Sequence, residues 1–344
     1  MSKYINLRDY LDPRFPFQFF VGGRGVGKSY SALGLIEDHC ILWMRRTDDE
    51  LNLLNNTKQG EGVNPYKKYN KNNGTNYCFS QIKDHISGIY TQTYNDDTEK
   101  MQLDTLRGYG GALSTLSKVR GIDLSDVTIM AYDEFIPETH VRKMAGEATA
   151  LFNCYETVNR NREMEGEPPV YFIGMANAFD IACPIFMELG IVSELEKCIA
   201  KGKSTYEDEK RGLRVVLLET PEEFEEEKKQ TALYRLTSGT TYYNMALSND
   251  FSYNDFSLIK HVNLKGWRPV CSINKRYYIY RSKDGRLHVS YMTAQCTDYN
   301  IEHKQELTKL KRNLASIIQE LFMRGKITFE SYEVKKAIVD NLIN

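Results

Sequence analysis

The octapeptide Gly22-Gly23-Arg24-Gly25-Val26-Gly27-Lys28-Ser29 satisfies the pattern G-x-x-x-x-G-K-[ST] in full. Its glycines let backbone N–H groups converge on phosphate oxygens without Cβ clashes. Lys28 places an ammonium group between the β- and γ-phosphates of a nucleotide, and Ser29 offers its hydroxyl to Mg²⁺. The octapeptide therefore predicts a P-loop that binds ATP together with Mg²⁺.

The residues on either side of the loop have the character that a P-loop needs. Phe15–Val21 is an aromatic-rich run that predicts a strand, and Ser29–Asp38 predicts a helix whose positive end faces the triphosphate. Tyr30 follows the loop directly, and we include it among the nucleotide-binding residues. Arg24 is unusual inside such a loop. It either contacts the γ-phosphate or a neighbouring subunit, or has a purely structural role.

A second motif supplies the acids of a hydrolase. Val127–Tyr132 is an apolar run that predicts a strand, and Asp133 and Glu134 end it as a Walker B motif. Ligands bind at this carboxyl edge in open α/β sheets. Asp133 is expected to orient the Mg²⁺ shell and Glu134 to polarise the attacking water. A nucleotide switch does not require the second acid, so Glu134 favours hydrolysis.

Asn177 ends the next predicted strand, Val170–Ala176. It is either a sensor of the γ-phosphate that helps to hold the attacking water, or an ordinary turn asparagine. Two acids on one strand and a polar tip on the next are typical of ATPases with an extra strand between the P-loop and Walker B strands. This ASCE-type arrangement is rich in motors.

Three arginines are candidates for stabilising transition-state charge in a neighbouring subunit. Arg160 and Arg162 lie at the end of a predicted helix, Glu147–Arg162. Cations there either complement the helix dipole or reach a neighbour's ATP in trans. Arg120 lies in the loop ahead of the Walker B strand and is similarly placed to act in trans.

The predicted elements divide the chain into three segments. Residues 1–198 alternate strands and helices, which predicts a mostly parallel sheet with flanking helices. In this segment Asn76–Tyr94 reads as strands or a hairpin. Residues 199–247 are charge-dense and predict a linker subdomain with a solvated helix at Thr220–Lys229. Residues 248–344 predict a smaller α+β domain, in which a strand at Arg268–Arg281 leads into a hairpin at Asp284-Gly285 and two helices follow.

The composition argues against a disulfide framework and a metal site, and it leaves binding to nucleic acid open. The net charge of −1 neither predicts nor excludes binding to nucleic acid. The seven cysteines form no C-x-x-C pair and predict reduced thiols, and the six histidines show no spacing typical of a metal site. No apolar run approaches the ~20 residues that a membrane span needs, and the amino-terminal residues lack the apolar stretch of a signal peptide, so we expect a cytosolic protein.

Together these motifs resemble the DNA-packaging (encapsidation) ATPases of small tailed bacteriophages of the Picovirinae type, relatives of terminase large subunits. The resemblance runs over nearly the whole chain, but its specific part is a few short strings. They are Gly22–Tyr30, Met44-Arg45-Arg46 with Glu50-Leu51, Asp133-Glu134-Phe135-Ile136, Thr157–Glu163, Ala176-Asn177-Ala178, Leu314-Ala315-Ser316 and Gly325–Phe329.

The resemblance implies a homo-oligomeric ring, a pentamer, at the portal vertex of a procapsid in the cytoplasm of an infected bacterium. Such a ring converts ATP hydrolysis into translocation of double-stranded DNA, in some cases with a structural packaging RNA. The resemblance also implies that Arg160 is the finger that acts in trans and that Arg120 is a basic residue that acts in trans. The implied fold is an ATPase domain, a connecting subdomain and an RNase H-like carboxyl-terminal domain.

Two departures from the family pattern matter. Asp48 stands where a basic residue that faces DNA is expected, which puts that loop's contact with DNA in doubt. The carboxyl-terminal domain shows Ser272 and Asn274 where a two-metal nuclease needs carboxylates. We therefore expect a vestigial nuclease fold that docks DNA, capsid or RNA. Two alternatives remain: a terminase-like ATPase with an active nuclease, and a nucleotide-switched protein that binds or loads DNA.

Overall fold

The computed structural model describes residues 4–55, 63–96, 99–116, 123–137, 144, 146–178, 180–248 and 257–343. The chain divides into two compact units. The P-loop unit contains Met1–Glu188 and Cys198–Ser252, and the C-terminal unit contains Leu189–Lys197 and Tyr253–Asn344. Each unit has a sheet of its own.

The P-loop unit is built on one large sheet. Its strands within the described residues are β1 (Phe17–Gly22), β2 (Ile41–Arg45), β3 (Tyr77–Lys83), β4 (Ile86–Asn95), β5 (Lys100–Ala112), β6 (Ile129–Asp133), β7 (Tyr171–Asn177), β8 (Thr205–Asp208) and β9 (Leu213–Leu218). They lie in the order β3-β4-β5-β2-β6-β7-β1-β9-β8. The central run from β5 to β9 is parallel, whereas β3, β4 and β8 pair antiparallel at the two edges. The predicted α/β fold with a mostly parallel sheet is confirmed.

The strand order also confirms the extra strand that the motifs predicted. β7 lies between β1, which leads into the P-loop, and β6, which carries the two acids. All five residues of β6 are buried, as expected for a central strand covered on both faces. The predicted hairpin at Asn76–Tyr94 is confirmed by the antiparallel pair β3 and β4.

Helices connect and cover these strands. Those that begin in the P-loop unit or join the two units are α1 (Lys28–Leu33), α2 (Asp48–Asn52), α3 (Lys67–Asn73), α4 (Leu113–Leu116), α5 (Glu147–Asn159), α6 (Pro184–Glu188), α7 (Val192–Ala200), α8 (Glu222–Lys229), α9 (Ala232–Leu236) and α10 (Thr241–Ser248). α1 is shorter than predicted, because it tightens into a 3-10 turn at Gly34–Glu37. α5 stops at Asn159 because Arg160 has a φ of 48°, outside the helical region.

The structure corrects the predicted linker at 199–247. β8 and β9 belong to the large sheet, since β9 pairs in parallel with β1 along its whole length. The charged run Glu207–Arg211 forms the end of β8 and a 3-10 turn that joins the two strands. The helix predicted to be a solvated connector, α8, buries Phe224. The charged residues of this segment lie in a tight turn and on the exposed face of α8, and they do not indicate a domain boundary.

The C-terminal unit contains a second, smaller sheet. Its strands within the described residues are β10 (Arg268–Ile273), β11 (Tyr277–Arg281), β12 (Leu287–Ser290), β13 (Thr297–Tyr299) and β14 (Ile327–Phe329), in the order β13-β10-β11-β12-β14. Its helices are α11 (Lys304–Leu310), α12 (Ser316–Met323) and α13 (Tyr332–Ile338). A π-helical turn, Lys311–Ala315, joins α11 to α12.

The predicted turn at Asp284-Gly285 is confirmed, because Gly285 has a φ of 87° between the antiparallel strands β11 and β12. The single strand predicted at Arg268–Arg281 is wrong: Asn274 and Lys275 have positive φ values and divide it into β10 and β11. Among the described residues, no helix has both the length and the apolar character of a membrane span.

Candidate active site

The predicted functional residues converge at one edge of the large sheet. The parallel strands β1, β6 and β7 end side by side. β1 runs into the P-loop, β6 ends at Asp133 and β7 ends at Asn177. The register brings Gly22 opposite Asn177. This is the carboxyl edge, where open α/β sheets bind their ligands.

Lys28 is buried at the centre of this edge, with 7% of its surface exposed. Its ammonium donates hydrogen bonds to the carbonyl oxygens of Gly22 at 2.9 Å and Gly23 at 2.7 Å, and to Oδ1 of Asn177 at 3.2 Å. Burial lowers the pKa of Lys28 to about 7. An anionic phosphate placed here would favour the charged ammonium and raise this pKa.

The loop conformation depends on glycine at two positions. Gly25 and Gly27 have φ values of 78° and 107°, in the region that residues with a Cβ rarely adopt. A Cβ on Gly27 would also lie 3.2 Å from the carbonyl oxygen of Ile5. The N–H of Ile5 donates a hydrogen bond to the carbonyl oxygen of Val26 in the loop. The amino-terminal segment therefore fits closely against the second half of the loop.

Ser29 and Asp133 form a pair of oxygen donors suited to Mg²⁺. The hydroxyl of Ser29 donates to Oδ1 of Asp133 at 2.9 Å. Asp133 is 8% exposed, and burial raises its pKa while Arg45 opposes that shift. Mg²⁺ is usually held by one or two carboxylates together with substrate phosphates, so this donor set fits the ion. In the part of the chain that the structure describes, no group of three or more His, Cys, Asp or Glu side chains forms an independent metal site.

Arg45, at the end of β2, holds both Walker B acids. Its guanidinium donates to Oδ2 of Asp133 at 2.9 Å and to Oε2 of Glu134 at 3.0 Å. The Glu134 backbone has a φ of 59°, which is uncommon for a residue with a side chain. Sequence reasoning missed this role. The signal for it was a charged residue at the end of an apolar strand, in a fold where such ends converge.

Arg46 stabilises the backbone turn at Glu134 from the protein interior. It is buried, donates to the carbonyl oxygen of Glu134 at 2.7 Å and pairs with Glu147 at 3.1 Å. The hydroxyl of Tyr132 donates to the same Glu147 oxygen at 2.6 Å. This buried network fixes the backbone that presents Glu134, so the first residue of α5 is tied to the site.

A cavity of about 850 Å³ lies over the loop and the acids. Lys28, Ser29, Asp133, Glu134 and Asn177 line one part of it. The remainder is lined by aromatic and polar side chains, among them Tyr4, Asn6, Tyr30, Lys68, Tyr69 and Asn72. An aromatic and polar region next to a phosphate site is suited to a nucleoside, which has both ring faces and hydrogen-bonding groups.

Residues 1–335 match the family model described as Podovirus DNA encapsidation protein (Gp16). The chain belongs to this encapsidation family. Its curated relatives include the DNA packaging proteins of Bacillus phages PZA and phi29, each 26% identical over 259 residues, and of Bacillus phage B103, 27% identical over 260 residues. The matches to PZA and phi29 cover 73% of this chain and 66% of each relative, and the match to B103 covers 74% and 70%.

Two solved structures share the fold over almost the whole length of both chains. The phi-28 gp11 DNA packaging motor superposes with a TM-score of 0.61 at 20% identity and covers 99% of this chain and 98% of that one. The phi-29 viral genome packaging motor assembly superposes with a TM-score of 0.63 at 19% identity and covers 98% of each chain. The architecture of this encapsidation-family chain is therefore the one seen in those motors.

The structure distinguishes two of the three candidate arginines of this encapsidation-family protein. Arg162 donates to the carbonyl oxygen of Val127 at 2.6 Å and to Glu167 at 3.2 Å, so it braces its own chain. Arg160 is exposed at the end of α5. Hydrogen bonds from Ser125 lower the pKa of Asp123, and the charge of Arg160 makes a smaller contribution in the same direction. Arg120 lies outside the described residues.

Proposed function

We propose that this protein is the ATPase subunit of a ring motor that couples ATP hydrolysis to movement of double-stranded DNA into a procapsid. The observation that carries the proposal is the convergence of Lys28, Ser29, Asp133 and Glu134 at one sheet edge in a chain of the encapsidation family. That set supplies phosphate binding, a magnesium site and a carboxylate for water. The names of the relatives and the shared motor fold support the link to DNA packaging.

The proposed chemistry is positioning and charge stabilisation. The P-loop N–H groups and Lys28 hold the β- and γ-phosphates, and Asn177, which already contacts Lys28, lies where the γ-phosphate can be sensed. Mg²⁺, held by Ser29 and Asp133, neutralises charge on the phosphate oxygens when bound. Glu134 polarises the attacking water. Arg45 holds one oxygen of that carboxylate, Oε2, at 3.0 Å.

The remaining partners follow from the family. We propose that subunits assemble as a homo-oligomeric ring, a pentamer, on the portal of the procapsid in the host cytoplasm, together with a structural packaging RNA. Arg160 of one subunit then stabilises transition-state charge at its neighbour's ATP, and Arg120 is proposed to act in the same way. The exposure of Arg160 supports this role, whereas the contacts of Arg162 within its own chain argue against one in trans.

For the C-terminal unit we propose docking of DNA, capsid or RNA on a vestigial RNase H-like fold. Two of its described carboxylates, Asp298 and Glu333, have protein partners. Asp298 accepts from the hydroxyl of Ser272 at 2.7 Å, and Glu333 accepts from Arg276 at 2.8 Å and from the hydroxyl of Tyr277 at 3.0 Å. These contacts favour a binding role over the alternative of an active terminase nuclease.

Mixing of subunits tests the ring and its trans arginine. Arg160→Ala subunits are expected to retain ATP but to inhibit wild-type subunits more than in proportion to their fraction, because each mutant leaves a neighbour's ATP without its cation. Steady-state ATPase assays with procapsids and DNA at varied mixing ratios measure this. Arg14→Ala, which removes an exposed arginine of the P-loop unit paired with Asp12, is the matched control. A strictly linear loss of activity with the fraction of Arg160→Ala would refute the assignment.

A further inference from the structure

Helix α8 contacts the phosphate loop through one of its faces. Phe224 and Lys228, one helical turn apart, share the face that meets Gly25. A Cβ built on Gly25 would lie 3.3 Å from Nζ of Lys228 and 3.6 Å from the ring of Phe224. The Lys228 ammonium donates a hydrogen bond to the carbonyl oxygen of Arg24. α8 therefore fits directly against the Arg24–Gly25 peptide.

The Lys228 ammonium is held in place by aromatic rings. It lies 4.8 Å from the ring centroid of Phe224 and 5.0 Å from that of Tyr234, on α9. The Phe224 ring also meets the Tyr4 ring at 5.7 Å. Cation–π contacts of this kind orient an ammonium that is partly removed from water. Lys228 is therefore not a freely moving surface lysine.

The hydrogen bond to Arg24 determines where the next N–H points. In a planar trans peptide the C=O and N–H groups point in opposite directions. When Lys228 holds the Arg24 carbonyl on the α8 side, the N–H of Gly25 is directed to the opposite side of that peptide. Arg24 and Gly25 line the nucleotide cavity, whereas Lys228 is not among the described residues that line it. We therefore expect the N–H of Gly25 to face the cavity.

This peptide needs such a restraint because a glycine follows it. Gly25 has no Cβ, so rotation of the Arg24–Gly25 peptide meets little steric resistance. A rotated peptide would present a carbonyl oxygen, and not an N–H, to the phosphates. A carbonyl dipole there would repel the anion that the loop has to bind.

We propose that Lys228 is a positioning residue of the phosphate site: by holding the Arg24 carbonyl it presets the N–H of Gly25 toward the nucleotide phosphates. The inference rests on the proposed ATPase function. It also makes α8 one of the elements through which the polypeptide after β9 contacts the phosphate loop. Lys228 acts through the loop, so it differs from Lys28, which contacts phosphate itself.

The environment of Lys228 gives this role a pH signature. Burial, with a further contribution from the charge of Arg24, lowers the pKa of Lys228 to about 8. The other titratable groups beside it are Tyr234, with a pKa raised to about 12, and Lys28, with a pKa lowered to about 7. Anion binding favours the protonated form, so the contribution of Lys228 is fully present below pH 8 and is lost as pH rises through that value. A guanidinium at this position would stay charged.

Binding of Mg-ADP and of inorganic phosphate by purified full-length protein tests the proposal. Lys228→Met keeps the length and the aromatic contacts of the side chain and removes the donor, and it is expected to weaken Mg-ADP binding roughly tenfold, the range of one charge-assisted hydrogen bond. Its maximal hydrolysis rate at saturating ATP is expected to change less than its KM. Lys228→Arg is expected to restore affinity and to bind more constantly than wild type between pH 7.5 and pH 9.

Lys229→Met is the matched control, because Lys229 is the next residue and pairs with Glu225 at 2.6 Å. It is expected to bind Mg-ADP as wild type does. If Lys228→Met binds as tightly as wild type, or if Lys228→Arg fails to restore affinity in a folded protein, the inference is overturned. Failure of the wild-type chain to bind nucleotide at all would instead refute the proposed function.

Discussion

Replacement of Arg45 by methionine is expected to destabilise the P-loop unit mainly through Asp133 and only slightly through Glu134. The Arg45–Asp133 contact is 2.9 Å long, with side chains 17% and 11% exposed, whereas the Glu134 side chain in the 3.0 Å contact is 50% exposed. Removing one partner of a buried ion pair costs about 3–5 kcal/mol, and exposed pairs contribute about 0.2–1 kcal/mol. Because the first pair is not fully buried, we expect a coupling of about 2 kcal/mol with Asp133 and below about 1 kcal/mol with Glu134.

Double-mutant cycles measure both couplings. Arg45→Met is combined with Asp133→Asn in one cycle and with Glu134→Gln in the other, and each free energy of unfolding is obtained from urea titration without nucleotide or Mg²⁺. The chain has two tryptophans. In a Trp267→Phe background the fluorescence of Trp43, which is buried in β2, reports on the P-loop unit. A coupling with Glu134 equal to or greater than that with Asp133 would refute the reasoning.

The pH dependence gives a second check on the same variant. Burial raises the pKa of Asp133 and Arg45 lowers it, so Arg45→Met raises it further. A carboxyl group with a raised pKa in the folded state stabilises the protein when protonated, and that contribution is lost as pH rises through the folded-state pKa. The variant is therefore expected to lose less stability at pH 5 than at pH 8. An equal loss at both values would show that Asp133 is not the group that Arg45 compensates.

Two further outcomes are expected. Glu134→Gln is expected to retain Mg-ATP binding, because the loop contacts are unchanged. Its rate of hydrolysis is expected to fall by about 10²–10⁴, because the carboxylate that polarises water is gone. Single-turnover assays measure this rate, and a normal rate would show that another residue is the general base. Supercoiled plasmid incubated with the protein and Mg²⁺ or Mn²⁺ stays intact on a gel, because Asp298 and Glu333 are engaged by Ser272, Arg276 and Tyr277. Metal-dependent cleavage that disappears with Glu333→Gln would restore the nuclease alternative.

Much of the site could be predicted because each motif is local. The P-loop glycines, Lys28 and Ser29 are contiguous, and their roles follow from the chemistry of a short loop before a helix. Asp133 and Asn177 could be assigned because parallel strands deliver their ends to the same edge of a sheet. The family resemblance added the link to DNA packaging, which residue chemistry alone did not contain.

The misplaced linker shows where local reasoning fails. β8 and β9 are short strands separated by a charged turn. The place of β9 beside β1 depends on pairing with residues about 200 positions away in the chain, and β8 then pairs with β9. Charge-dense sequence between them is as compatible with a solvated connector as with a hairpin. Only the hydrogen-bonded register distinguishes the two.

The sequence by itself determined the proposed nucleotide chemistry, through the order of glycines, a lysine and a serine, and through two acids after an apolar strand. Tertiary structure alone decided that Arg45 holds both acids, that Arg162 braces its own chain, and that Lys228 meets the loop 204 residues before it. The physical reason is that a motif encodes contacts made within a few residues of backbone. Contacts across strand ends depend instead on which elements the folded core brings together.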